Sequence, residues 1–158
     1  MTYEQALNRA AAYCSQAERA TQEVLQKLEA WEVSDEDAAR ILEFLRKERF
    51  LDEQRYVHAF VNDKFNYERW GRIKIAYALR AKGVTGAVVS NTMDDVIDPE
   101  KYVEVLTDLL RAKMRGMHQP LAPNDRAKLY RFAAQRGFES NVVGQALQRL
   151  RVAEEEDL

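Results

Sequence analysis

The residues able to act as nucleophile, metal ligand or proton carrier are few. Cys14 is the only cysteine, and His58 and His118 are the only histidines. That inventory excludes an internal disulfide and a multi-cysteine zinc site, and it leaves little to hold a catalytic metal. Cys14 follows Leu7 and Ala10 at helical spacing, the placement of a small buried hydrophobe. His58 falls opposite Val57 and Phe60 on its helix, exposed, with no carboxylate–imidazole constellation around it. The pairs Asp52/Glu53 and Asp94/Asp95 sit at helix starts or ends, where capping and solvation account for them. Acid–base catalysis would need carboxylates converging in a pocket. No phosphate-cradling glycine loop, HExxH pair or nucleophile elbow occurs. The expectation is a chain with no catalytic residue, no metal site and no cofactor, and so no enzyme.

Its chemistry lies in the distribution of charge. The formal net charge is −2, which argues against a wholly basic nucleic-acid-binding protein, yet the charges come in blocks. Lys64, Arg69, Arg72, Lys74, Arg80 and Lys82 face a single acid, Glu68, within nineteen residues. Asp94, Asp95, Asp98, Glu100, Glu104 and Asp108 follow, with Lys101 alone against them. A second basic block includes Arg126, Lys128, Arg131 and Arg136, and the chain closes on Glu154-Glu155-Glu156-Asp157. Screening over about 10 Å lets such patches act separately. The acidic blocks read as solvated helix faces.

The first basic block reads otherwise. A helix over Arg69–Lys82 places Trp70, Ile73, Ala76, Tyr77 and Leu79 on one side as core and projects Arg69, Arg72, Lys74 and Arg80 away from it. Lys82 at the last turn suits the helix dipole, but Arg69 and Arg72 at the first turn oppose it. Gly71 in that turn costs about 1 kcal/mol relative to alanine. Its missing side chain would let another helix or a partner come close. Trp70, which begins the apolar face, is expected to pack in the core rather than serve as a base-stacking platform. A helix with this composition is expected to be a contact surface.

The elements that must position these residues are helices. The chain is 46% hydrophobic and 32% charged, with six Gly and three Pro, and its apolar residues recur at helical spacing from Val24, Leu25 and Leu28 through Val142, Val143, Ala146 and Leu147. No stretch alternates with period two, so the fold class is all-α. No window approaches the roughly 20 apolar residues needed to cross a bilayer. The first residues show no basic segment followed by an apolar run, so no secretory signal is expected.

An internal repeat of about 50 residues sets the organisation. Asp52-Glu53-Gln54-Arg55-Tyr56 is echoed by Asp98-Pro99-Glu100-Lys101-Tyr102, each with an Asp N-cap, and Glu18-Arg19 by Glu68-Arg69. A helix–turn–helix joint occurs three times, as Trp31-Glu32-Val33-Ser34, Lys82-Gly83-Val84-Thr85 and Arg136-Gly137-Phe138-Glu139. Gly83 and Gly137 suit the left-handed position that closes a helix, and Ser34 and Thr85 suit the N-cap that follows. Glu32 breaks the glycine pattern, so the first joint must close differently or carry strain.

The spacing therefore predicts three helices per repeat: Tyr3–Ser15, Glu18–Trp31 and Asp35–Arg49; then Asp52–Phe65, Arg69–Lys82 and Gly86–Val96; then Pro99–Arg115, Asp125–Gln135 and Ser140–Val152. The repeats span 1–51, 52–97 and 98–153, with an acidic tail at 154–158. Units this small must share core with their neighbours, and an elongated molecule that can curve is expected.

The string Phe50-Leu51-Asp52-Glu53-x-Arg55-Tyr56, Phe60, Lys64, then Trp70-Gly71-Arg72-x-Lys74-Ile75-x-x-x-Leu79-x-x-Lys82-Gly83, and finally Arg136-Gly137-Phe138 resembles the RecX regulatory proteins. The likeness spans nearly the whole chain, with its most specific motifs in the middle repeat. The first repeat departs from the commoner pattern at Cys14-Ser15-x-x-Glu18 and at Glu32. The resemblance implies tandem three-helix repeats and a cytoplasmic, monomeric regulator of the RecA recombinase. Such a regulator would bind the RecA–DNA filament along its groove, touch DNA weakly or through the filament, and inhibit ATP hydrolysis, strand exchange and co-protease activity in DNA repair and the SOS response. Carried over by motif, Arg72, Lys74 and Lys82 are the expected contact residues. Charge adds Lys64, Arg69 and Arg80, and Lys128, Arg131 and Arg136 in the third repeat. A stand-alone helical nucleic-acid-binding module is the alternative. It would bind bare DNA tightly and with a steep salt dependence.

Overall fold

The computed structural model describes residues 1–156, apart from the side chains at 152 and 154–156. The expected acidic tail therefore lies outside the described residues, save for helical backbone through Glu156. Among the described residues there are nine helices and no strand. They are α1 (Tyr3–Gln16), α2 (Thr21–Ala30), α3 (Asp35–Lys47), α4 (Glu53–Asn66), α5 (Arg72–Ala81), α6 (Ala87–Val96), α7 (Pro99–Lys113), α8 (Pro123–Gln135) and α9 (Ser140–Glu156).

Local side-chain caps start four of them. Thr2 and Gln5 form a reciprocal capping box at α1. The hydroxyl of Ser34 accepts from the Asp37 amide (3.2 Å), Asp52 from the Arg55 amide (2.9 Å) and Asp98 from the Lys101 amide (2.9 Å). Pro99 occupies the first turn of α7, where a missing N–H costs nothing. Thr85 does not cap. The α6 helix begins one step later than expected, behind Gly86 at φ +88°, whose carbonyl receives the Val89 amide.

The three joints close alike. Glu32, Gly83 and Gly137 all take positive φ (58°, 79° and 95°). The following apolar residue donates its amide five residues back: Val33 to Leu28, Val84 to Leu79 and Phe138 to Ala133, each at 3.0 Å. This is the Schellman closure, with the apolar residue tucked beneath the turn. Glu32 thus keeps the glycine geometry at the cost of a side chain in the left-handed region, the strain expected at that joint.

By spatial contact the chain divides into two units, 1–60 with 78–92, and 61–77 with 93–158. In the first, Ala6, Ala10 and Cys14 line α1 at four-residue spacing. Their small side chains admit Val24 and Leu28 of α2 and Ala38, Ile41, Leu42 and Leu45 of α3. In the second, Tyr102, Val103, Leu106 and Leu110 of α7 and Val142, Val143, Ala146 and Leu150 of α9 are buried, as are Leu129 and Ala133 of α8. The Tyr102 ring packs between Phe65 (5.8 Å between centroids) and Phe138 (5.0 Å).

The same docking device recurs in each unit. In the first, the Gln22 side-chain amide of α2 faces the carbonyls of Ala81 and Lys82 beside Gly83, and with its nitrogen turned toward them it donates to both (3.1 Å each). In the second, the Gly71 amide donates to Arg136 (2.7 Å) and the Ile73 amide to Gly137 (3.0 Å). In both cases a glycine joint seats on the start of the middle helix of the preceding repeat.

The basic helix differs from expectation in two respects. It begins at Arg72, not Arg69. Arg69 lies ahead of it at φ 57°, in the left-handed region, and Gly71 precedes the first turn. Its core face is Gly71, Ile75 and Leu79, all buried, whereas Ile73 and Tyr77 point to solvent. Gly71 is buried for a steric reason: a Cβ there would fall under 3.0 Å from the Gly137 backbone. The close approach expected of Gly71 is made by the third repeat.

Candidate functional site

The segment from α4 to α5 in the second unit gathers cations and aromatic rings. Trp70 is half-buried, with Lys64 Nζ 4.9 Å and Lys74 Nζ 4.4 Å from its ring centre. Both ammonium groups rest on the electron-rich face of the indole. Lys64 also lies 3.6 Å from Asp63. The indole thus supports cations and shares its face with them, a role between the expected core residue and a bare stacking platform. Arg69 is exposed. Around these residues stand three of the large apolar side chains most open to solvent, Tyr67 (77% exposed), Ile73 (57%) and Tyr77 (72%). Ile73 and Tyr77 lie one turn apart on α5 and form an outward stripe beside Lys74.

Beyond Lys64 and Lys74, four of the expected contact residues, Arg72, Arg136, Lys82 and Lys128, have partners within the chain. Arg72 Nη1 donates to Glu139 Oε2 (3.1 Å), and its guanidinium lies 3.9 Å over the Tyr102 ring. The Tyr102 hydroxyl donates to the other oxygen of Glu139 and accepts from the Arg72 amide (2.9 Å). Burial, followed by that bond to Glu139, pushes the Tyr102 hydroxyl well above the usual phenol range. Arg136 Nη2 donates to the carbonyls of Glu68 (2.7 Å) and Arg69 (3.3 Å). In the first unit Lys82 Nζ lies 3.8 Å from Glu23, whereas Arg80 is exposed. In the third repeat Lys128 lies 3.8 Å from Asp125 and Arg131 is exposed.

Tyr67, Ile73, Tyr77 and Glu139 are the residues that sequence reasoning missed. The stripe was hidden because α5 carries two apolar faces, Ile75/Leu79 and Ile73/Tyr77, and periodicity does not say which one is covered. Flanking charges were the available signal, since Lys74 and Arg80 border the outward face.

Cys14 is buried, and burial pushes its thiol up, away from the nucleophilic thiolate. The described residues hold no group of three His, Cys, Asp or Glu placed to bind a metal. None of the helices among them is long and apolar enough to cross a membrane.

Comparison with known proteins matches the helical units in order. The first three-helix domain of RecX matches residues 6–45, the second 52–93 and the third 100–147. The regulatory protein RecX of Oceanobacillus iheyensis is 28% identical over 142 residues, covering 88% of this chain and 51% of that protein. The chain thus spans about half the length of that relative. The RecX of Prosthecochloris aestuarii is 29% identical over 149 residues, covering 92% of this chain and 93% of that protein. The crystal structure of RecX from Lactobacillus salivarius superposes with a TM-score of 0.87 at 19% identity, covering 95% of this chain and 97% of that one. That last likeness shows the fold, three three-helix domains in tandem. With all three domains matched in sequence and in order, the chain belongs to the RecX family of regulatory proteins.

Proposed function

We propose that this protein is a non-enzymatic regulator of the RecA recombinase that binds the RecA–DNA filament and restrains its ATP hydrolysis, strand exchange and co-protease activity. Family membership across all three domains is the observation that carries the reading. The second repeat supplies a surface suited to such a partner. Lys74 and Lys64 stand over Trp70, Arg69 is exposed, and Tyr67, Ile73 and Tyr77 present apolar area between charges. Aromatic and apolar anchors ringed by charge are the usual composition of a protein-binding surface. The cations add attraction to acidic side chains or phosphates, with about one unit of salt dependence for each phosphate neutralised. Arg80 and Lys82 extend the basic character of the helix, and Arg131 and Lys128 give the third repeat a weaker share in DNA contact. A cytoplasmic monomer acting in DNA repair and the SOS response fits this role.

The test is DNA-dependent ATP hydrolysis by RecA. The wild-type chain should slow it at substoichiometric amounts. Arg69→Glu combined with Lys74→Glu should raise the amount required by about tenfold or more, as like-charge contacts do, with helical content unchanged. Equal inhibition by the variant would remove this surface from the mechanism.

A further inference from the structure

The α5 helix has no side-chain N-cap of its own. Its leading amides are satisfied from the third repeat instead: Gly71 by the Arg136 carbonyl, Arg72 by the Tyr102 hydroxyl and Ile73 by the Gly137 carbonyl. Helix-start amides left without partners would fray the first turn. The Glu139 carboxylate adds to this arrangement by taking both the Tyr102 hydroxyl and the Arg72 guanidinium. It brings negative charge to the start of α5, where the helix dipole favours it, and so offsets the unfavourable Arg72. The same turn fixes Lys74, whose backbone and Cβ lie so close to Gly137 that a Cβ there would clash with both.

We infer that Tyr102 and Glu139 are positioning residues, a clasp that holds the start of the basic helix, and that Arg72 serves partner binding through this clasp rather than by touching the partner. The inference rests on the proposed filament reading for its functional half. Its structural half stands on the hydrogen bonds alone. Were Arg72 a contact residue, it would have to leave a half-buried carboxylate and an aromatic face, which is unfavourable unless the partner replaces both.

The two roles of Arg72 predict opposite signs in Glu139→Gln. This variant keeps shape and hydrogen-bonding capacity but removes the charge that holds Arg72. If the clasp positions α5, exchange of the Gly71 and Ile73 amides should quicken by about tenfold. Binding to RecA assembled on single-stranded DNA should then weaken several-fold, with the salt slope unchanged. If Arg72 is a contact, freeing it should tighten binding and steepen the slope by about one unit, which overturns the inference. The exchanged pair Arg72→Glu with Glu139→Arg supplies a second arm: binding recovered relative to Arg72→Glu alone supports the clasp, and no recovery counts against it. Unchanged amide exchange in Glu139→Gln overturns the clasp whatever the binding result. Failure of the wild-type chain to bind the filament, with exchange quickened as expected, overturns the proposed function and the functional half of this inference while leaving the structural half standing.

Discussion

Gly71 and Gly137 meet backbone to backbone, and neither tolerates a side chain. A Cβ at Gly71 would strike the Gly137 carbonyl, and one at Gly137 would strike Lys74, with φ +95° adding further strain. Gly83 holds the same left-handed geometry, but a Cβ there would meet only the Gln22 side chain, at 3.7 Å. Gly71→Ala should therefore destabilise the protein by about 3 kcal/mol or more, the scale of overpacking a close-packed site. Gly83→Ala should cost only the left-handed penalty of about 1–2 kcal/mol. Glu32→Gly should gain about 1 kcal/mol by relieving φ 58°. Urea denaturation of the three variants ranks them, and a Gly71→Ala protein as stable as Gly83→Ala would contradict the packing account. Of these, Gly83 and Gly137 were legible from the sequence, because a helix stop is a local signal. The partner of Gly71 was not, since Gly137 lies far along the chain and no spacing rule joins them.

Titration belongs to the same scale. Burial, reinforced by Glu23, pushes the Tyr56 hydroxyl up to about 12. The folded state therefore holds this proton where the unfolded chain, with a tyrosine near 10, releases it. Stability from this group is fully present below pH 10 and is lost as pH rises toward 12. Tyr102 is shifted in the same direction. Tyr56→Phe should flatten the fall in melting temperature between pH 10 and 12, measured against wild type at each pH. An unchanged slope would show that Tyr56 does not contribute to it.

Among the elements, helix starts separate into those capped locally and those capped from elsewhere. Asp98 accepts the Lys101 amide, so Asp98→Ala should cost about 1 kcal/mol. Thr85 lies outside α6, behind Gly86, so Thr85→Ala should be close to neutral in the same denaturation measurement. Equal losses would mean that Thr85 caps after all. Helix number, order and most boundaries were readable because caps, glycine stops and apolar spacing are local. The start of α5 was not: Arg69 turns left-handed and the first turn is completed by residues of α7 and the α8–α9 joint. Its covered face was misread for a related reason. A ten-residue helix with isoleucine on both sides reveals its inner face only when the neighbour is known.

At the scale of the whole molecule, three matched RecX domains give the family, and the cations and solvent-facing aromatics of the second repeat are the surface that the proposed contact would use. The chain's motif string marks the family, and two of its arginines also bond within the chain, Arg72 to Glu139 and Arg136 to the Glu68 carbonyl, joining the third repeat to the start of α5. Measuring the affinity of the full chain for RecA assembled on single-stranded DNA with nucleotide, alongside free RecA and bare DNA at equal salt, tests the central claim most directly. The account predicts the assembled filament to be preferred by about tenfold or more, with that preference lost in the Arg69→Glu, Lys74→Glu variant, a discrimination within reach of one well-placed charged surface. Equal or tighter binding to bare DNA would contradict it.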